Sequence, residues 1–78
     1  MITPEDVEAY ILQGLDCEYV QVGGDGRHFE AVIVSAAFEG KGMLQQQQLV
    51  YRALGDRMES IHALSMKTFT PEQWAAQA

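Results

Sequence analysis

The chain has 78 residues, 47% of them hydrophobic, and carries five Lys and Arg against eleven Asp and Glu, a formal net charge of −6. That length builds one domain with a small core. That charge repels a phosphate backbone at long range, so nucleic-acid binding needs a local patch built from Arg27, Lys41, Arg52, Arg57 and Lys67.

Thr3-Pro4-Glu5-Asp6 reads as a helix start: Thr3 caps, Pro4 suits the first helical position, and the acids meet the positive end of the dipole. Val7, Tyr10, Ile11 and Gly14 share a face, with Gly14 as the expected stop. Glu18 to Val22 alternates as a strand does, with Val20 and Val22 on one side. Gly23-Gly24-Asp25-Gly26 predicts a turn. His28 to Ser35, rich in β-branched residues, predicts a second strand that closes a hairpin. Phe38-Glu39-Gly40-Lys41-Gly42 breaks it. Met43 to Met58 has helical spacing through Leu44, Gln47, Tyr51, Leu54 and Met58, with Val50 beside them. The glutamines Gln45 to Gln48 read as helix surface, since glutamine is a good helix former. Ile61 to Lys67 predicts a third strand, and Thr70-Pro71-Glu72 starts a last short helix.

Helix, strand, strand, helix, strand, helix is an α+β order. The hairpin strands are antiparallel, and the strands on either side of the second helix are parallel through a right-handed crossover. Helices then cover one face of a three-stranded mixed sheet. A single cysteine, Cys17, excludes an internal disulfide and fits a reducing compartment. Its neighbours Asp16 and Glu18 should raise its pKa and blunt its reactivity. The start of the chain has neither a basic nor an apolar run, so no signal peptide is expected. No stretch is apolar enough to span a bilayer, and a cytoplasmic protein without a membrane partner is expected.

The chain's only histidines, His28 and His62, start the second and third predicted strands. Parallel neighbours bring both to one edge of the sheet, where neutral imidazoles suit a borderline metal. The plainer alternative is a hydrogen-bonded, half-buried His62 and a turn residue at His28. A four-ligand site cannot be built inside the chain. No nucleophile–base–acid set is visible, and an enzyme is not expected. Phe69 and Trp74 read as the residues that fold the last helix back onto the sheet.

Five segments in order carry a resemblance: Gly24-Asp25-Gly26-Arg27-His28-Phe29 through Ser35, Phe38-Glu39-Gly40-Lys41, Leu49-Val50-Tyr51, Ile61-His62-Ala63-Leu64-Ser65, and Lys67-Thr68-Phe69-Thr70-Pro71-Glu72-Gln73-Trp74. Together they resemble the BolA family over nearly the whole chain, nearest its short bacterial BolA-like subgroup. The resemblance implies one αββαβα BolA-like domain over residues 1–78, related to the KH fold. It also implies an adaptor that binds a monothiol glutaredoxin and helps coordinate or transfer a 2Fe–2S cluster in iron–sulfur assembly or iron homeostasis. The cluster would be shared with the glutaredoxin and its glutathione, with none in the isolated chain. The resemblance assigns His62 and His28 as ligands, and His28, on a glycine-rich loop, would be the weaker one.

An alternative from the same family is a nucleic-acid-binding transcriptional regulator, in a stress-response setting, using a KH-like fold. Lys41, Arg27 and Lys67 are the contact candidates for a partner or nucleic acid. Acidic charge disfavours the alternative. So does the spacing of Gly40 and Gly42, which does not match the Gly-x-x-Gly clamp of KH domains. Many family members have Arg-His where this chain has Gln46-Gln47, which removes further positive charge.

Overall fold

The computed structural model describes residues 1–77. In order the elements are α1 (Pro4–Gly14), β1 (Tyr19–Gly24), β2 (His28–Val34), a 3₁₀ turn (Ala36–Phe38), α2 (Met43–Leu54), a second 3₁₀ segment (Gly55–Ser60), β3 (Ala63–Phe69) and α3 (Pro71–Gln77). The sheet order is β1-β2-β3. β1 pairs antiparallel with β2, and β2 pairs parallel with β3. The expected α+β topology is the observed one.

The helix starts are built from the residues that announce them. Thr3 accepts the Asp6 N–H at 3.1 Å, and the Asp6 carboxylate accepts the Thr3 N–H at 3.0 Å. Thr70 and Gln73 repeat the reciprocal pair at the start of α3, at 2.9 and 3.1 Å. Gly14 belongs to α1 and does more than stop it. A Cβ there would lie 2.4 Å from the Ala53 carbonyl, so its missing side chain sets how closely α1 meets α2.

One face of the sheet makes the core. Val20 and Val22 of β1 and Phe29, Ala31 and Ile33 of β2 meet Val7 and Ile11 of α1 and Val50 and Leu54 of α2, with Phe38 closing one end. Burial of each large side chain contributes ~1.5–3 kcal/mol before entropy is counted. At one end of the opposite face, Trp74 stacks on Tyr19 at 5.2 Å and meets Phe69 at 5.3 Å. The register Tyr19–Val34–Phe69 thereby receives a lid, and Val34 is fully buried. Phe69 and Trp74 do fold the last helix back.

Three expectations are corrected. The second helix ends at Leu54, not Met58, because Gly55 takes a positive φ of 55° and the chain tightens into 3₁₀ geometry. The third strand runs Ala63–Phe69, not Ile61–Lys67. Ile61 is a buried anchor whose N–H still closes the preceding turn onto Met58, and pairing begins with the bond from the Ala63 N–H to the Arg27 carbonyl, one residue before β2. The buried stripe of α2 is Gln46, Val50 and Leu54, while Leu44 and Tyr51 are exposed. Gln46 is therefore not helix surface. Its Nε2 donates to the Lys41 carbonyl at 2.8 Å and its Oε1 accepts from the Thr68 hydroxyl at 2.5 Å, so both ends of the buried amide are satisfied.

Candidate metal centre

The parallel register sets His28 opposite Ala63, so His28 at the start of β2 and His62 in the bend before β3 come to one end of the sheet. Their rings lie 6.2 Å apart, edge to face at 88°, and both residues are exposed. This excludes the half-buried reading of His62. The pairing is a consequence of topology: residues 34 apart in sequence become neighbours only because the crossover through α2 returns β3 parallel to β2.

The turn that carries His28 is a built structure. The Asp25 carboxylate accepts the backbone N–H of both Arg27 and His28 at 2.9 Å, and the Asp25 N–H donates to the His28 carbonyl at 3.3 Å. The bond from the His28 N–H, and next that from Arg27, hold the Asp25 carboxyl below its ordinary pKa. Gly24 is required on the other side of the turn. It has a φ of 149°, and a Cβ would sit 2.3 Å from the His28 carbonyl oxygen. The Asp-Gly pair announces the turn in sequence, whereas the close approach at Gly24 has no sequence signal, because its partner is four residues away across the hairpin.

Of the basic candidates, Arg27 adjoins the histidines and is exposed. Lys67 lies about 13 Å further along β3, at ~3.3 Å per residue. Lys41 sits at the far end of that strand, linked through Gln46 to Thr68. The three do not converge on the histidines. Cys17 is partly buried, donating its thiol to the Leu15 carbonyl at 3.4 Å. Burial first, and then the Asp16 charge, push its pKa up to about 11. The acidic neighbour acts as expected but is the smaller cause. Such a thiol stays protonated at neutral pH and makes a poor metal ligand.

Among the described residues no group of three or more His, Cys, Asp or Glu side chains is placed to hold a metal ion. What the chain offers is two imidazoles, which fits half of a shared centre and not a closed one. No helix of the described residues is long and apolar enough to cross a membrane.

A mixed three-stranded sheet with two helices on its inner face, a short third helix on the other and two exposed histidines at one end defines a small α+β fold. The BolA-like protein family matches residues 14–73, and the chain belongs to that family. It is 43% identical to Protein BOLA2 of Arabidopsis thaliana over 79 residues, covering 95% of this chain and 85% of that one. It is 46% identical to the DNA-binding transcriptional regulator BolA of Haemophilus influenzae over 55 residues, 69% of this chain and 53% of that one. Among solved structures, a bolA protein homologue from Coxiella burnetii superposes with a TM-score of 0.90 at 47% identity, covering 96% of this chain and 99% of that one.

Proposed function

We propose that this chain is an adaptor that binds a monothiol glutaredoxin and helps coordinate or transfer a 2Fe–2S cluster in iron–sulfur assembly or iron homeostasis, with His62 and His28 as its ligands. The observation that carries this reading is the convergence of the chain's only two histidines as exposed neighbours, 6.2 Å between rings, at one end of the sheet. Two donors without a third within the described residues call for a partner that brings the rest, which the BolA resemblance attributes to a glutaredoxin cysteine and glutathione. When bound, a cluster with imidazole in place of thiolate has a raised reduction potential and less negative charge. His62 presents its ring from the bend that β3 fixes. His28 presents its ring from a turn that Asp25 ties together. Exposure leaves both imidazoles accessible to a docking protein.

The test is co-expression with a monothiol glutaredoxin and visible circular dichroism of the purified complex. The expected spectrum differs from that of the glutaredoxin alone and disappears with His62→Ala. A spectrum identical to that of the glutaredoxin homodimer refutes the reading.

The name of the Haemophilus influenzae relative supports a second reading, DNA binding through the KH-like fold. A net charge of −6 and neutral Gln46 and Gln47 weigh against it. Tight binding to duplex DNA that weakens steeply with salt would establish it.

A further inference from the structure

We infer that α3 is a detachable lid on the outer face of the sheet, the face turned away from α1 and α2, and that it undocks and unfolds as one unit while the rest of the domain stays folded. The occupant of the slot beneath it is the chain's own Trp74, which stacks on Tyr19 at 5.2 Å and meets Phe69 at 5.3 Å. That one side chain is the attachment. α3 has seven residues, none of them buried, and Trp74 is itself only half-buried. Its side-chain hydrogen bonds are the two of its own cap, Thr70 with Gln73, and among the described residues none reaches the sheet.

A helix this short does not hold by itself. Below about 12–15 residues an isolated helix is marginal in water, because few bonds repay a costly nucleus. α3 is therefore helical only while Trp74 is docked, and loss of the dock and loss of the helix are a single step. Seven residues give up conformational freedom for one tryptophan contact, so the closed state is weakly favoured.

The core does not share in that step. Of the buried hydrophobic side chains among the described residues, Val34 alone lies outside the core cluster. Val34 stands between Tyr19 and Phe69 in the strand register, under Trp74. The lid thus covers a small apolar patch of its own, with the sheet between it and the core. The Phe69 carbonyl keeps its bond from the Ser35 N–H at 3.0 Å, which places the hinge at Thr70. The next row along the same face is Gln21–Val32–Lys67. It opens onto a cleft of ≈ 280 Å³ lined by Glu30, Val32, Ser65 and Lys67. With α3 in place that groove stops at the aromatic slot, and with α3 released it runs on over Tyr19, Val34 and Phe69. The lid is an autoinhibitory contact on the outer face, and the inference does not depend on the histidines.

The experiment is amide exchange of the whole chain by NMR at several urea concentrations below the unfolding transition. The Trp74 N–H, bonded to the Thr70 carbonyl at 2.9 Å, should be protected roughly 10- to 1000-fold, the mark of a state open ~0.1–10% of the time. Its exchange should hardly respond to urea, since the opening exposes little surface. The Ile33 amide, in the central strand, should exchange only through global unfolding, with the full urea slope. Trp74 is the chain's only tryptophan, so its fluorescence reports the lid directly. Ala75 is exposed, and Ala75→Pro interrupts α3 without touching the sheet. In that variant the Trp74 emission should match an indole in water, the Val34 amide should shift, and the sheet should stay folded. A Trp74 amide that exchanges with the rate and urea slope of Ile33 overturns the inference, and so does one with no protection, which means no closed state. An Ala75→Pro chain that unfolds, or that keeps Trp74 in its slot, overturns it too. Exchange at Trp74 that slows as protein concentration rises marks lids traded between copies and also overturns it.

Discussion

At the scale of single residues, the two histidines are both exposed and unequally supported. His62 stands one residue before Ala63, whose N–H bonds the Arg27 carbonyl just ahead of β2, so its backbone is held by the sheet. His28 depends on the Asp25 turn. His62→Ala is expected to abolish the BolA-type spectrum of the glutaredoxin complex and to cost under about 0.5 kcal/mol of stability, as exposed positions do. His28→Ala should leave the complex formed but speed cluster loss to a chelator. Equal or faster loss from the His28 variant than from the His62 variant would reverse the ranking. The turn itself has a pH signature. The Asp25 carboxyl titrates below its unfolded value because the charged form accepts two backbone N–H bonds. A lowered folded pKa means that the stabilisation is complete above the unfolded value, about 3.9, and is lost as pH falls through the folded one. The Arg27 and His28 amide signals are expected to move together below about pH 4, and Asp25→Asn should remove that step. A step that persists in the variant assigns the titration elsewhere.

At the scale of elements, the caps, the hairpin, the parallel crossover and the histidine pair were legible in the sequence because each rests on local chemistry or on topology. The phase of α2 was not. Leu44 and Tyr51 pull a hydrophobic pattern toward the solvent side, while Gln46 hides in the core with its amide bonded to Lys41 and Thr68. Sequence patterns fail where polarity and burial part company, as they do here at exposed Leu44 and Tyr51 and buried Gln46. The start of β3 was missed for a different reason: Ile61 is apolar and buried, so it reads as strand while it anchors a turn. The meeting of α1 with α2 was also invisible, since Gly14 looks like an ordinary helix end. Gly14→Ala should gain up to about 1 kcal/mol of helix propensity and lose about 1–3 kcal/mol in pushing the Ala53 backbone away. A net loss is expected, seen as a lower urea midpoint at constant slope. Gly23→Ala, with nothing within 4 Å of its Cβ, is the control. A Gly14 variant as stable as the parent would mean that the helices separate at no cost.

Across the whole molecule, the uneven charge decides how salt acts. Residues 40–55 and 60–71 carry Lys41, Arg52 and Lys67 with no acid, and the remainder carries Arg27 and Arg57 with eleven acids, which gives +3 and −9 and sums to −6. Repulsion among the acids and attraction between acids and cations therefore oppose each other. Over all eleven acids and five cations, like-charge pairs number 65 against 55 opposite-charge pairs, so the excess is on the repulsive side. Exposed attractive pairs contribute ~0–1 kcal/mol each. Repulsion should dominate, and screening should relieve it, since the Debye length falls from about 30 Å at 0.01 M to about 8 Å at 0.15 M, inside the 35 Å long axis of the molecule. The melting temperature is expected to rise by a few degrees over that range, which for a domain of this size corresponds to roughly 1 kcal/mol. A melting temperature that falls with salt would show that attraction between acids and cations outweighs the repulsion. Charge reversal at Lys41 and Lys67 should enlarge the rise, because it replaces two of five cations with acids and takes the net charge from −6 to −10.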